Sequence, residues 1–234
     1  MQFLYHPDAG LPKIKIEGES YKYIFKVRRH KEGERIALRN LTDTYLYFYE
    51  ITVVKRREAE LLFLEKEERI VMPKHSIHIG WCIIDPKVVE KTIPMLNELG
   101  VEKITFIYCA RSQKNFKLDL NRLNRILINS SQQCGRSRMM ELEIFSSIEE
   151  YLEHYPKSGV LDFGGKQTIC ENMVKSILIG CEGGFSDRER GLFKNRPVFT
   201  LKTPLILRSE SAVVATASAF LLYKNSFGGG LGSS

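Results

Sequence analysis

Residues 177 to 189 read Ile-Leu-Ile-Gly-Cys-Glu-Gly-Gly-Phe-Ser-Asp-Arg-Glu, and no other stretch constrains the chain as tightly. The aliphatic run predicts a short buried strand. Gly180, Gly183 and Gly184 predict a loop that can take positive φ and lay bare backbone against a ligand. Ser186, with Glu189 three residues on, predicts a capping box that opens a helix. Strand, glycine loop and capped helix suit a cofactor loop. They also suit a plain strand-to-helix turn.

The segments around this stretch alternate. Strands are expected at 76–84, 104–108, 143–145, 159–163, 176–179 and 197–201, with helices at 86–99, 118–131, from Ser147, at 186–193 and at 209–223. Pro94 predicts a kink or an early end to its helix, and Gly100 a C-terminal stop. This order argues for an α/β domain with a mostly parallel sheet covered on both faces. Ligands in such sheets bind beyond the carboxyl ends of the strands. Three strand ends carry unusual loops, Gly164–Gly165, Gly180–Phe185 and 202–208, and these are expected to converge on one ligand.

Residues 1–70 read instead as β-rich. Strands are expected around Ile14 and Ile16, at 21–27, at 35–38, at 44–54 and at 61–64, forming a small barrel-like unit. The polar run 65–69, followed by Pro73, reads as a hinge. The expected domains are therefore 1–70 and 71–227. The glycine-rich tail, 228–234, reads as a flexible linker or a cloning remnant.

Charge narrows the partners. Lys and Arg number 35 against 28 Asp and Glu, a formal net charge of +7, which favours a polyanion. Between Lys22 and Arg39 the basic residues outnumber the acidic ones, as a solvated face or an RNA-contacting patch would require. Arg111, Lys114, Lys117, Arg122, Arg125, Arg136 and Arg138 face a single acid, Asp119, and this asymmetry points to a phosphate backbone. The five cysteines are scattered and never paired as CxxC, so neither a disulfide framework nor a zinc site is expected. No apolar run is long enough to span a membrane, and residues 1–10 lack signal-peptide architecture. A reduced, cytoplasmic protein without a metal is the expectation.

The loop's chemistry is bounded by what is missing. Neither GxGxxG nor GxxxxGK[ST] occurs. The glycine loop therefore suits an adenosine-containing ligand held by backbone groups, not a pyrophosphate anchored by lysine.

Residues 203 to 212 read Thr-Pro-Leu-Ile-Leu-Arg-Ser-Glu-Ser-Ala, and an Ala-rich helix follows. With the glycine loop, with Glu-Leu-Gly-Val at 98–101 and with Gln-Cys-Gly-Arg-Ser-Arg at 133–138, this resembles the RsmE family of SPOUT-class RNA methyltransferases over nearly the whole chain. The resemblance implies a C-terminal SPOUT domain with a trefoil-knotted parallel sheet and an N-terminal PUA-like β-barrel domain that assists RNA binding. It implies S-adenosyl-L-methionine as cofactor, a homodimer, and methylation of a uridine N3 in 16S ribosomal RNA of the small subunit.

Carried over by position, the cofactor would be held around Leu161 and Phe163, Ile179, Gly180, Glu182, Gly183 and Gly184, and Leu201, Leu205, Ile206, Leu207 and Ser209. RNA would meet Arg29, Arg111, Arg136 and Arg138. Arg208 would stabilise charge on the uracil oxygens, and Glu210, Glu182 or a water would take the N3 proton. Helix capping accounts equally well for Glu210, with Ser209 as N-cap. The small residues of 212–220 suit tight packing and a dimer interface.

The chain departs from the family at several positions. Cys181 and Met140 replace prolines, Thr203 a glycine, Leu205 an arginine and Ala110 an acid, and Arg28 is an extra base. Thr203 puts a β-branched side chain where a cofactor loop bends. A catalytically degenerate RNA-binding or ribosome-assembly protein of the same fold is the alternative.

Overall fold

A computed structural model describes residues 3–113, 115–165, 167–168 and 174–222. Lys114, Cys170 (one of the five cysteines), Tyr223 and the 228–234 tail lie outside the described residues. The chain divides into two compact units, 1–72 with 128–139, and 73–127 with 140–234.

The first unit contains β1 (Leu4–Tyr5), β2 (Lys13–Glu17), helix α1 (Gly18–Tyr21), β3 (Arg35–Arg39), β4 (Tyr45–Val54) and β5 (Glu58–Glu68). The sheet order is β1-β3-β4-β5-β2, parallel only between β1 and β3. Register shifts at Phe48/Tyr49 and Ile51/Val53 bend β4 against β5. The result is a curled half-barrel, in keeping with the barrel-like unit expected.

Two sequence expectations fail in this unit. Residues 21–27 form no strand. A π-helical turn, Lys22–Val27, continues α1. Tyr21, Ile24 and Phe25 are spaced to bury one helical face in the core, while Lys22 and Lys26 stay exposed. The supposed hinge is also regular structure: residues 65–68 extend β5, paired with β4, and the Arg69 N–H donates to the Thr44 carbonyl at 3.0 Å. Charged side chains there are compatible with a strand because its outer face is solvated. Residues 128–139 complete the unit. Ile128 and Met139 pack on Phe3, Leu41 and Leu46, and Gln132 Oε1 accepts from the Tyr5 N–H at 2.8 Å.

The second unit follows its sequence pattern closely. It holds β6 (His78–Cys82), α2 (Pro86–Leu99), β7 (Lys103–Ile107), α3 (Leu120–Cys134, whose last turns belong to the first unit), β8 (Glu141–Phe145), α4 (Ile148–His154) and β9 (Gly159–Leu161). After these come β10 (Gln167–Thr168), β11 (Ser176–Ile179), α5 (Asp187–Gly191), β12 (Val198–Thr200) and α6 (Ser209–Leu221). The seven strands run in the order β10-β12-β9-β11-β6-β7-β8, every pair parallel. Helix α2 continues through Pro94 and stops at Gly100, whose φ of 98° is left-handed. Ile79, Trp81, Ile104, Phe106, Ile177 and Leu178 are buried in the sheet core. The order matters for function, because β9, β11 and β12 are neighbours although α5 and long loops separate them in the chain.

Candidate active site

The carboxyl ends of β9, β11 and β12 frame a cavity of about 190 Å³. Leu161 at the end of β9 is followed by Asp162 and Phe163 from its loop. Ile179 ends β11, and Gly180 to Glu182, Gly184 and Phe185 come from the glycine loop after it. Thr200 ends β12, Leu201, Thr203, Leu205 and Leu207 come from the loop that follows, and Ser209 and Ala212 from the start of α6. The three loops singled out from sequence thus open onto one cavity. Of the carried-over cofactor residues, Gly183 and Ile206 do not line it. Asp162, Cys181, Phe185 and Thr203 also line it, within the stretches expected to hold the ligand, whereas Thr200 and Ala212 line it without having been foreseen.

Each loop is held by identifiable bonds. After β9, the Asp162 carboxylate accepts from Arg190 Nε at 2.8 Å and Nη2 at 3.2 Å. This fork joins the loop to α5, and the carboxylate raises the Arg190 pKa. A β-carbon at Gly165 would collide with the Phe199 carbonyl, so only glycine lets this loop pass β12. In the glycine loop, the Gly184 N–H donates to the Cys181 carbonyl at 2.9 Å, and Gly184 takes φ 65°. Arg111 lies over Gly183 and donates to its carbonyl.

The capping box is present. Ser186 Oγ accepts from the Glu189 N–H at 3.3 Å, and Glu189 Oε2 accepts from the Ser186 N–H at 2.7 Å. Glu189 also does something that spacing does not reveal. It is buried, and its Oε1 accepts from the Ala110 N–H at 2.7 Å, tying the loop after β7 to α5.

The start of α6 differs from expectation. The N-cap is Arg208, with no side-chain cap, and Ser209 is the first helical residue. Ser209 Oγ donates to the Gly180 carbonyl at 2.7 Å and accepts from Trp81 Nε1 at 2.9 Å. Its hydroxyl is committed to the sheet and the glycine loop, so it cannot cap the helix. Arg208 stands between two lining residues with its side chain 82% exposed, 3.9 Å from Glu210. Neither Arg208 nor Glu210 itself lines the cavity. Glu210 Oε2 is buried and has no hydrogen-bond partner among the described residues, whereas Glu182 lines the cavity and is exposed.

The departure at position 203 has a local explanation. Thr203 is absent from the positive-φ residues, and its Oγ1 accepts from the Leu205 N–H at 3.1 Å. The hydroxyl closes the bend in a small side-chain turn. Cys181 lies 3.4 Å from Cys109, sulfur to sulfur. Within that pair the Cys109 thiol is pushed down by hydrogen bonds from Cys181 and Cys82, and the Cys181 thiol up by Cys109.

Of the basic candidates, Arg29, Arg136 and Arg138 belong to the first unit and Arg111 to the second. Arg29 is exposed and takes φ 61°, an uncommon conformation for a side chain with a β-carbon. Arg138 is exposed, but Arg136 is buried, its Nε donating to the Arg138 carbonyl at 2.7 Å. Arg111 is exposed and braces the glycine loop. Among the described residues no group of His, Cys, Asp and Glu could hold a metal. No described helix is long and apolar enough to cross a membrane.

Comparison with known proteins agrees with this geometry. Residues 72–221 match the RNA methyltransferase domain, and residues 16–64 the RNA methyltransferase PUA domain. Ribosomal RNA small subunit methyltransferase E of Helicobacter pylori is 44% identical over 222 residues, 93% of this chain and 98% of that protein. The fold matches a Legionella pneumophila protein described as a methyltransferase and solved with bound SAM, at a TM-score of 0.81 and 24% identity, covering 94% of this chain and 96% of that one. It also matches ribosomal RNA small subunit methyltransferase E of Neisseria gonorrhoeae bound to S-adenosyl methionine, at a TM-score of 0.80 and 20% identity, covering 94% and 96%. With one domain match over most of the chain, a second over the N-terminal strands and near-complete coverage by a 44% identical relative, the chain belongs to the RNA methyltransferase family that includes the ribosomal RNA small subunit methyltransferases E.

Proposed function

We propose that this chain is an S-adenosyl-L-methionine-dependent methyltransferase acting on N3 of a uridine in 16S ribosomal RNA of the small subunit. The observation that carries the reading is the convergence of three strand-end loops on one cavity, with Arg208 between two of its lining residues. The names of the relatives point to the same substrate.

The lining suits this cofactor. Leu161, Ile179, Leu201 and Leu207 offer an apolar slot for a flat base. Gly180 and Gly184 keep the backbone of the loop bare for ribose and methionine polar groups. When bound, the cofactor supplies an electrophilic methyl group on a positively charged sulfur. The protein's part is to orient the uridine in line with that bond. Arg208 offsets the negative charge that grows on the uracil oxygens as N3 loses its proton. Glu210, with its unpartnered Oε2, or Glu182 at the cavity wall, or a water, receives that proton.

The remaining parts of the reading have their own support. Phe163, Leu205 and Ile206 are large, apolar and 69%, 71% and 83% exposed around the cavity. A second copy of the chain would cover them, in keeping with a C2 homodimer. The knotted SPOUT topology is favoured by β12 lying beside β9 while the loop that follows it faces the glycine loop across the cavity. The unit from residue 1 to about 70 would carry RNA, with Arg29 as its contact, and 71–227 the chemistry. A substrate in the ribosome and the lack of a membrane-crossing helix among the described residues favour the cytoplasm.

Primer extension on ribosomal RNA from cells with and without the gene tests the reading. A methyl group on N3 blocks the pairing edge, so reverse transcription stops at one uridine only where the gene is present. An unchanged pattern of stops removes the uridine assignment. Calorimetry separates an enzyme from a degenerate RNA-binding relative, which would give no heat with the cofactor.

A further inference from the structure

Three buried thiols meet beneath the glycine loop. Cys82 ends β6, Cys109 follows β7 and Cys181 follows β11, and these strands are neighbours in the sheet. Their carboxyl ends therefore bring together three cysteines that are far apart in the chain. Cys109 Sγ lies 3.4 Å from Cys181 Sγ and 3.2 Å from Ser112 Oγ. Ser112 is itself anchored, its Oγ donating to the Ile83 carbonyl at 2.9 Å. Of the three, only Cys181 lines the cavity, and a small oxidant entering there meets it with the Cys109 sulfur 3.4 Å behind. Cys82 is fully buried. All three are free thiols.

Buried cysteines usually act as small apolar side chains. Here two sulfurs are already in contact, one in a loop made adaptable by Gly180, Gly183 and Gly184, the other beside a fixed strand end. A disulfide requires a separation of about 2.05 Å, so the sulfurs must close by about 1.4 Å. Cys181 lines the cavity, so a displacement of its sulfur toward Cys109 falls on the cavity wall.

We propose that Cys109 and Cys181 form a reversible dithiol site, oxidised by a peroxide to a disulfide that reshapes the cofactor cavity. In the first step the Cys109 thiolate attacks a peroxide oxygen. The O–O bond breaks, leaving a sulfenic acid and, after protonation, one water. The Cys181 thiol then attacks the sulfenic sulfur. The S–O bond breaks, the S–S bond forms and a second water leaves. Two thiols lose two hydrogens, and hydrogen peroxide is reduced to two waters. A dithiol reductant reverses the reaction by exchange. Such a bond in a reducing compartment is transient and sensing, not structural. The effect on cofactor affinity rests on the function proposed above. The disulfide itself does not.

The test uses the full chain, reduced, and then exposed to hydrogen peroxide, quenched and alkylated. Peptide mass spectrometry is expected to find a Cys109–Cys181 linkage that dithiothreitol removes. Titration with S-adenosylmethionine is expected to find affinity about tenfold lower after oxidation, a modest figure for an ångström-scale displacement, and restored by the reductant. Cys109→Ala is expected to keep its affinity through the same treatment. Should that variant misfold, the linkage map and the reversal in the unmodified chain still decide. Recovery of both cysteines as alkylated thiols, a Cys82–Cys109 linkage instead, or a disulfide that leaves affinity unchanged would each overturn the proposal. A reduced protein that binds no cofactor while the linkage forms would count against the proposed function instead.

Discussion

The Ser209 hydroxyl donates to the Gly180 carbonyl at 2.7 Å, joining the first residue of α6 to the first residue of the glycine loop. The same oxygen accepts from Trp81 Nε1 at 2.9 Å. Ser209→Ala removes both partners at once and leaves a buried indole N–H without an acceptor. The expected loss of stability is about 1–3 kcal/mol, together with weaker cofactor binding. Urea unfolding with a parallel calorimetric titration checks both. A variant of unchanged stability would mean that water replaces the hydroxyl and that the tie is not structural.

Arg208 should behave in the opposite way. Its side chain is largely exposed, and its contact with Glu210 is long at 3.9 Å. Arg208→Ala is expected to change stability by less than about 0.5 kcal/mol and to lower turnover by a factor on the order of 100 to 1000. Steady-state kinetics with thermal melts distinguish the two effects. A variant of much lower stability whose folded fraction still turns over normally would assign Arg208 a structural role instead.

Arg29 holds φ 61° at the end of the π-helical turn, where the His30 N–H donates to the Ile24 carbonyl at 3.2 Å. Glycine takes this conformation freely, and arginine does so at a cost. Arg29→Gly is therefore expected to stabilise the protein by up to about 1 kcal/mol while weakening RNA binding and lowering its salt dependence by about one ion. Unfolding curves and filter binding at two salt concentrations test the pairing. Unchanged affinity would remove Arg29 from the RNA-contacting surface.

How far these features can be read from sequence depends on their range. The Ser186–Glu189 box was legible because both partners lie within one turn. Helix α2 and its stop at Gly100 were legible from spacing and from the demand for positive φ. The second role of Glu189, toward Ala110, joins residues 79 apart and leaves no local trace. Ser209 read as an N-cap because serine before a helix usually caps it. The competing partners, Trp81 and Gly180, become visible only once the sheet has formed. Residues 21–27 read as a strand because an apolar run looks alike in both periods when short. Only burial of Tyr21, Ile24 and Phe25 on one face shows the helical one.

His78 offers a prediction in pH. Thr105 Oγ1 donates to Glu143 Oε2 at 2.8 Å, so it accepts from His78 Nε2, also at 2.8 Å. In the neutral ring that puts the proton on Nε2, and the ring lies tilted against Tyr155. Burial, with Lys103 nearby, lowers the His78 pKa from 6.5 to about 4. Between those values the unfolded chain binds the proton and the folded one does not, so stability falls as pH drops from 6.5 toward 4. The loss is on the order of 3 kcal/mol. Unfolding free energies across that range, compared with those of His78→Gln, measure it. A flat profile in the unmodified protein would place the titration elsewhere.

The most direct test is a crystal structure of the full chain grown with S-adenosylmethionine. The donor is expected in the cavity walled by Gly180, Leu201 and Leu207, held mainly by backbone atoms, with its methyl group on the Arg208 side. Clear density for the donor at another site, or side chains filling that cavity at saturating donor, would contradict the account.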